Sequence, residues 1–181
     1  DNSFDVILGN IPFNSVKIYD RRYNELNPYI HDYFFIKSLD LAKPGGIIAF
    51  VTSHYTMDKR SPEVRRYIAQ RADLLGAIRL PNNAFESAGT ETVTDILFFQ
   101  KRENVLTDEE IDSMDLNKTA PWISIGGSLR VGDVWYQGNQ YYAQHVENIL
   151  GELKEITGRF GREITVVPNG NLQEQLDAAI S

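Results

Sequence analysis

The sequence contains no cysteine and no apolar run approaching the roughly 18 residues that a membrane-spanning helix needs. Without cysteine the chain forms no disulfides and no thiolate-bound metal sites, and we predict no metal centre. No signal peptide is visible in its first residues. These absences favour a cytoplasmic protein without membrane contact.

What is present suffices for one sizeable hydrophobic core, because 42% of the 181 residues are apolar and 11% are aromatic. The chain does not begin with methionine, and its first residues already have the pattern of a strand. We therefore expect it to be a piece of a longer protein.

The net charge of −7 is distributed unevenly. Residues 1–102 contain 13 Lys and Arg against 12 Asp and Glu, a net of +1, whereas residues 103–181 contain 5 against 13, a net of −8. The acidity therefore belongs to the C-terminal part, and the first part is electrostatically free to bind a polyanion.

Four apolar runs predict strands, at residues 6–8, 47–51, 74–80 and 93–99. The first two have the continuous apolar character of strands buried on both faces of a parallel sheet. The spacing of Phe35, Leu39 and Ala42 predicts a helix between them, and Ser61 followed by Pro62 predicts the N-cap of a second helix. This alternation indicates an α/β domain, whose last two strands are expected to pair antiparallel because no helix separates them.

We divide the chain into three parts. Residues 1–102 form the α/β domain. Residues 103–118 are predicted to be an acidic linker, because their first 13 positions contain six acids and no base. Residues 119–181 contain aromatics and glycines without a regular period, which predicts a mixed, loosely structured extension of unknown role with helices near residues 144–156 and 171–181.

The first predicted strand is followed by Asn10, Ile11, Pro12 and Phe13. Ligands of open α/β sheets bind beyond the carboxyl ends of the strands, which is where Asn10 falls. The Asn10 side-chain oxygen and the Ile11 carbonyl, held by the rigid Pro12, are two acceptors suited to one exocyclic amine. Phe13 is placed to stack on the ring that carries this amine, an arrangement that suits a flipped-out adenine. In an isolated motif, Asn10 would instead cap a turn and Phe13 would belong to the core.

The motif resembles the (Asn/Asp)-Pro-Pro-(Tyr/Phe) signature of the amino-group methyltransferases, particularly the N6-adenine DNA methyltransferases. Several segments are similar to the methylase region of large helicase-methylase proteins of phages and conjugative elements: HDYFF, PGGIIAFVTS, MDK, VRRYIAQRADLLGAIRLPNNAF and GTE. The segments LLGAIRLPNNAF and TDILFFQKR also resemble the final strands of type I restriction-modification methylases. The resemblance covers residues 4–102, and residues 135–170 match more loosely.

The resemblance implies a Rossmann-like class I methyltransferase that depends on S-adenosylmethionine, with this chain as the C-terminal half of its sheet. In the family, the glycine-rich loop that binds the cofactor precedes the Asn-Pro-Pro signature, and nothing in this sequence supplies it. The cofactor is therefore expected to bind an upstream part of the same polypeptide, and the isolated chain is expected to be inactive.

The expected partners are DNA, the remainder of the same polypeptide and a helicase within it. An open sheet edge would also have to be covered, for which self-association is our expectation. One departure from the family concerns Ile11, which stands where the signature has Pro. This position contributes a backbone carbonyl, so the proposed hydrogen bond is retained.

The resemblance further implies direct methyl transfer to adenine N6, favoured by the acceptors at Asn10 and Ile11. Such a reaction needs no strong general base. We therefore assign no catalytic role to His31, Asp32 or His54, which are typical of polar groups in loops near strand ends.

Two polar segments are candidates for DNA contact. The segment DKRSPEVRRYIAQR contains five basic and two acidic residues, which predicts either a solvated helix face or phosphate contact. Asn82 and Asn83 either read a base edge or cap the turn in which they lie, and the turn is favoured. The residues predicted to bind DNA are Lys59, Arg60, Arg65, Arg66, Asn82 and Asn83.

Two rival functions remain open. Methylation of a protein glutamine uses the same amide-amine chemistry, but those enzymes generally have Asn-Pro-Pro-Tyr, from which Ile11 and Phe13 depart. The other rival is a catalytically silent module that binds DNA or acts as a scaffold inside a helicase-methylase protein.

Overall fold

The computed structural model describes residues 1–12, 14–89 and 91–181. Within these ranges the strands are β1 Phe4–Asn10, β2 Ala42–Ser53, β3 Ala72–Leu80, β4 Thr94–Lys101, β5 Gly127–Val131, β6 Val134–Gly138, β7 Glu152–Gly158 and β8 Gly161–Val167. The helices are α1 Ile30–Leu41, α2 Tyr55–Asp58, α3 Glu63–Arg71, α4 Asp108–Asp112, α5 Leu116–Thr119, α6 Gln140–Gln144 and α7 Leu172–Ile180.

Strands β1 to β4 form one mixed sheet in the order β1-β2-β4-β3. Strands β1 and β2 run parallel, whereas β4 runs antiparallel to both β2 and β3. The predicted α/β class with an antiparallel terminal strand is therefore confirmed. These directions bring the carboxyl ends of β1, β2 and β3 to the same side as the amino end of β4, and this side is called the carboxyl edge below.

The predicted elements of the first domain are present with shifted boundaries. Strand β2 begins at Ala42, directly after α1, and includes the Pro-Gly-Gly segment that was expected only to stop the helix. Helix α3 begins at Glu63, and its N-cap position is Pro62. The prediction of Ser61 as N-cap is therefore wrong by one residue.

One face of the sheet packs against α1 and α3 around a chain of aromatic rings. The Phe35 ring of α1 lies 5.0 Å from the Phe50 ring of β2 and 5.6 Å from the Phe99 ring of β4. The Phe99 ring lies in turn 5.3 Å from the ring of Trp122. Edge-to-face contacts of this kind add to the hydrophobic energy of burial, so Trp122 is part of the central core.

The C-terminal part is packed onto the domain, which differs from the loose extension that was predicted. Tyr142 and Val166 belong to the same buried cluster as Phe35. Residues 127–138 and 152–167 form the hairpins β5–β6 and β7–β8. The helix predicted near residues 144–156 is wrong, because that stretch contains the end of α6, a 3₁₀ turn and most of β7.

The acidic segment after β4 is also folded against the domain. Helix α4 has a capping box, in which the Thr107 hydroxyl accepts from the Glu110 N–H and the Glu110 carboxylate accepts from the Thr107 N–H. Ile111 on this helix is 1% exposed and joins the core. The acidic residues of this helix are exposed, so the segment predicted to be a linker presents its charges to solvent while one side packs on the domain.

Strand β1 is the edge of the sheet and has little cover. The side chains of Phe4, Val6 and Leu8 are exposed by 51%, 54% and 70%. On the opposite face, Ile7 packs against the core. The prediction that this strand is buried on both faces is therefore wrong for the chain as it stands, because among the described residues the face with Phe4, Val6 and Leu8 is left uncovered. The strand is also the edge of the described sheet.

The opposite face of the sheet is covered on its β3–β4 half. Leu172 and Leu176 of α7 pack against a small cluster formed by Ile78, Leu80 and Leu150. Residues at i and i+4 lie on one face of a helix, so α7 presents one apolar side to the sheet. The helix predicted at residues 171–181 is confirmed.

One buried amide holds the C-terminal part in place. The Asn139 side chain is fully buried and donates to the Met57 carbonyl at 2.7 Å and to the Trp122 carbonyl at 2.8 Å. Its oxygen accepts from the Tyr141 N–H at 2.9 Å and so caps α6. Both polar atoms of the amide are satisfied, and three separate segments are joined by it.

We predict that Asn139→Ala destabilises this chain by about 3 kcal/mol, because it leaves two buried carbonyls and one helix N–H without a partner. Denaturant unfolding measures the effect. The control is Asn117→Ala on the exposed surface of α5, which should change the free energy of unfolding by less than about 0.5 kcal/mol. Equal effects of the two substitutions would contradict the anchoring role of Asn139.

Candidate functional site

Asn10 is the last residue of β1 and lies at the carboxyl edge. It is exposed, and it pairs in register with Val51 of β2. The next residue, Ile11, donates its N–H to the Val51 carbonyl at 3.1 Å and buries its side chain in the core. The chain is therefore fixed immediately after Asn10, and Asn10 is presented to solvent at a defined position.

The last two residues of the Asn-Ile-Pro-Phe motif give less structural information. Pro12 is exposed, and Phe13 lies outside the described residues. The prediction that Asn10, Ile11, Pro12 and Phe13 grip and cover an amine therefore stays a prediction.

A buried salt-bridge network lies further along the same edge. Arg79 of β3 and Asp95 of β4 are cross-strand partners, joined by two hydrogen bonds of 2.8 and 2.9 Å. Arg79 also pairs with Asp58 of α2 at 3.0 Å, and the Asp58 carboxylate lies 3.0 Å from Nδ1 of His54. The guanidinium of Arg79 stacks 4.3 Å from the ring of Tyr142. One buried cation thus joins β3, β4, α2 and α6.

The network determines the charge states of its members. Burial raises the pKa of the Asp58 carboxyl, but the adjacent guanidinium of Arg79 outweighs burial and holds this pKa well below its usual range. Burial opposes the charge of Arg79, yet Asp58 and Asp95 hold its pKa well above the ordinary value. Burial, followed by the charge of Asp95, raises the pKa of Tyr142 well above its ordinary value. Because an ionised carboxylate only accepts, the Asp58 carboxylate accepts a hydrogen from Nδ1 of His54, and Nε2 is left for other contacts.

A cavity of about 560 Å³ opens between this network and the two hairpins. Its floor is formed by α2 and the strand ends, and its walls are formed by the hairpins β5–β6 and β7–β8. The polar and aromatic lining residues are His54, Tyr55, Asp58, Arg60, Arg79, Glu91, Thr92, Tyr136, Gln137, Arg162, Glu163 and Thr165. Asn10 is not among the lining residues. It lies at the end of β1, which pairs with β2.

The hairpin β7–β8 is tied to the carboxyl edge by Asn82. The Asn82 N–H donates to the Val166 carbonyl at 2.8 Å, and its side-chain amide reaches the Thr165 hydroxyl at 3.5 Å. The carbonyl of Asn83, which is exposed, accepts from the Glu86 N–H within a turn. The turn interpretation of this pair therefore holds, and the Asn82 amide faces β8.

The basic residues predicted to bind DNA differ in their surroundings. Arg60 is exposed and borders the cavity, while Lys59 is half-buried with its ammonium 4.7 Å from the ring of Tyr29. Arg66 is engaged by the carboxylate of Asp112.

Arg65 was predicted to contact phosphate, and this prediction is wrong. Its side chain is only 1% exposed. It donates to the carbonyls of Ile123 at 3.0 Å and Thr56 at 3.3 Å. The arginine therefore holds α3 against the segment around Trp122, and phosphate has no access to it.

His31 and Asp32 at the start of α1 are buried, with His31 Nε2 3.6 Å from the Asp32 carboxylate. Among the described residues, neither ring nitrogen of His31 has a hydrogen-bond partner, and one Asp32 oxygen also lacks one. Burial, together with the charge of Lys59, lowers the pKa of His31 to about 4. Burial raises the pKa of Asp32 to about 6.

The residues that the sequence reading missed are Arg79, Asp95 and Tyr142. A signal for the first two exists, since each is a single charge inside an apolar strand run, LLGAIRL and VTDILFF. Opposite charges buried in neighbouring strands are expected to pair. Within the described ranges no three His, Cys, Asp or Glu residues cluster as metal ligands would. None of the helices described is long and apolar enough to cross a membrane.

We predict that Asp32→Asn makes the chain more stable than the parent at pH 8, and that this advantage is smaller at pH 4. Because the folded pKa of Asp32 is raised, its contribution to stability is present below the unfolded value of about 3.8 and is lost as the pH rises through 6. The variant should therefore gain up to about 3 kcal/mol over the parent across this interval, measured by urea unfolding. Asp133→Asn, on an exposed turn, is the control and should show no such gain. A parallel pH profile of Asp32→Asn and parent would contradict the prediction.

Comparison with known proteins shows which family the first part of the chain resembles. Residues 1–85 match the family described as Eco57I restriction-modification methylase. The chain is 33% identical over 107 residues to "Defense against restriction protein B" of Escherichia phage P1, a match that covers 56% of this chain and 5% of that protein. The chain thus spans a small part of this relative's length.

Solved methyltransferase structures are more distant. The chain is similar to a putative class I S-adenosylmethionine-dependent methyltransferase from Listeria monocytogenes, with 20% identity, a TM-score of 0.46, and coverage of 68% of this chain and 44% of that one. It is also similar to the M protein of the type I restriction enzyme EcoKI, with 18% identity, a TM-score of 0.45, and coverage of 69% and 31%. Over residues 1–85, which include β1, α1, β2 and β3, the predicted resemblance to restriction-modification methylases is confirmed by the family match.

Proposed function

We propose that this chain is part of a DNA methyltransferase that transfers a methyl group from S-adenosylmethionine to N6 of adenine. The observation that carries the proposal is the position of Asn10. It stands exposed at the carboxyl end of β1, where α/β sheets bind their ligands, and it opens the Asn-Ile-Pro-Phe motif within the segment that matches the methylase family.

The proposed role of the motif is to hold the amine in a reactive form. The N6 lone pair of adenine is delocalised into the ring, which makes the amine a poor nucleophile. Two acceptors, the Asn10 side-chain oxygen and the Ile11 carbonyl, would bind both amine hydrogens and favour a pyramidal nitrogen. They would also stabilise the positive charge that develops there during transfer, which is electrostatic preorganisation.

The buried anchor of Ile11 supports this role. A group that positions a reacting atom must itself be held rigidly. The Ile11 side chain is 3% exposed, and its N–H extends the β1–β2 ladder by one bond to Val51. The backbone at Asn10 and Ile11 therefore has little freedom to move relative to the sheet.

The described residues do not fit the cofactor. S-adenosylmethionine needs a glycine-rich turn between a strand and a helix. Gly45 and Gly46 lie inside β2, and Gly158 and Gly161 lie at the turn of the β7–β8 hairpin. We assign no cofactor contact to this chain and propose that another part of the polypeptide binds the cofactor.

The exposed face of β1 also supports the proposal that another part of the polypeptide packs against this chain. Apolar side chains at an unpaired sheet edge are a liability unless another segment covers them. We propose that the remainder of the same polypeptide, which includes a helicase, packs against Phe4, Val6 and Leu8, with self-association of the chain as the alternative. On this proposal the isolated 181-residue chain has no transferase activity.

The first test is transfer of tritiated methyl groups from S-adenosylmethionine to DNA by the full-length protein. We expect Asn10→Ala to lower the rate by at least about 100-fold while DNA binding persists, because an acceptor of the developing charge is lost. The control is Asn24→Ala, which alters an exposed asparagine outside the motif and should retain full activity.

Two outcomes would contradict the proposal. Undiminished transfer by the Asn10→Ala protein would exclude the assigned role of the amide. Tight DNA binding by the parent protein without any transfer would instead favour a catalytically silent DNA-binding module.

A further inference from the structure

We propose that the cavity between α2 and the two hairpins binds an unpaired nucleobase of the nucleic-acid strand. This inference rests on the proposed function, because it names a second contact for the same substrate. It assigns a role to the C-terminal hairpins and to the Arg79 network, neither of which the proposed methyl transfer uses.

The cavity has the room and the exposed aromatic ring that base binding requires. Its volume of about 560 Å³ lies within the range of small-molecule sites. The rings of His54 and Tyr55 lie 4.2 Å apart at its rim, and Tyr55 is 53% exposed. An exposed aromatic face of this kind binds a base by stacking, and stacking tolerates every base.

The charge balance of the lining favours a neutral polar heterocycle. Three arginines and three acids line the cavity: Arg60, Arg79, Arg162, Asp58, Glu91 and Glu163. Arg79 is occupied by Asp58 and Asp95, and Arg162 lies 3.6 Å from Glu155. The interior therefore lacks the excess positive charge that a phosphate site needs, whereas the exposed Arg60 at the rim suits the backbone of the strand.

His54 supplies the hydrogen-bonding group. Its Nδ1 is engaged by Asp58, which Arg79 holds in turn, so rotation of the ring would break the hydrogen bond between Nδ1 and Asp58. The Nε2 atom is left to hydrogen-bond to the edge of a base. Asp58 and Arg79 are thus positioning residues, and His54 and Tyr55 are the binding residues of the site.

The location of the cavity is compatible with a nucleic-acid strand that also reaches Asn10. Asn10 pairs with Val51 of β2. Strand β2 ends two residues later at Ser53, and His54 and the first residue of α2, Tyr55, follow directly. Both sites are therefore at the carboxyl edge, on neighbouring strands of one sheet. A nucleic-acid strand whose target base is bound at Asn10 would place a flanking base at the cavity.

The test compares two probes by fluorescence anisotropy with the full-length protein. One is a single-stranded oligonucleotide of about 12 nucleotides, and the other is a sugar-phosphate oligomer of equal length without bases. We expect the parent protein to bind the first about tenfold more tightly. Tyr55→Ala should remove this preference, and Tyr55→Phe, which keeps the ring, should retain it.

The controls separate base binding from folding and from phosphate contact. Tyr19→Ala alters a tyrosine that is 80% exposed and does not line the cavity, and it should leave the preference unchanged. His54→Phe keeps a flat ring but loses Nε2, so it should reduce the preference. A denaturation curve of each variant verifies that it is folded.

Equal binding of the two probes by the parent protein, or an unchanged preference in Tyr55→Ala, would overturn the assignment. Competition by free adenosine that depends on Tyr55 would also overturn it, by assigning the cavity to a nucleoside. The readout needs no methyl transfer. Base-dependent binding without transfer would therefore refute the proposed function alone, and transfer without base-dependent binding would refute this site alone.

Discussion

The carboxyl edge of this protein depends on one buried cation. The Arg79 guanidinium bonds to Asp95 on the neighbouring strand and to Asp58 on α2, and it stacks on Tyr142 from the C-terminal part. Replacing a complete buried ion pair by apolar residues is often neutral, but removal of one partner leaves an uncompensated charge at high cost. The network therefore does less to increase stability than to impose one arrangement on the sheet, α2 and α6.

In this arrangement the two hairpins are held against the carboxyl edge. Asn139 joins α6 to α2, and Asn82 joins β8 to the turn after β3. The C-terminal residues thereby form the walls of a cavity whose floor belongs to the methylase-like segment. The charge of the C-terminal part, a net of −8, does not prevent this, because the acids that line the cavity are balanced by arginines.

Local sequence predicted the elements whose pattern is self-contained. The runs around Ile48, Ile78 and Leu97 are apolar and bounded by Gly, Pro or charged residues, and each is a strand of the central sheet. Burial was harder to predict, because it depends on partners distant in sequence. Val6 and Leu8 look like core residues yet are exposed at the sheet edge. Arg65 looks like a surface cation yet is buried, since the carbonyls that it binds belong to residues 56 and 123. The hairpins were missed because β7 alternates charged with apolar residues too irregularly to show a period of two.

The central claim is that the amide at the end of β1 binds the exocyclic amine of adenine for methylation. The most direct measurement is the identity of the product. DNA incubated with the full-length protein and S-adenosylmethionine is digested to nucleosides and analysed by mass spectrometry. The account predicts N6-methyladenine as the only new nucleoside. N4-methylcytosine, or a methyl group found on protein glutamine instead of DNA, would contradict it.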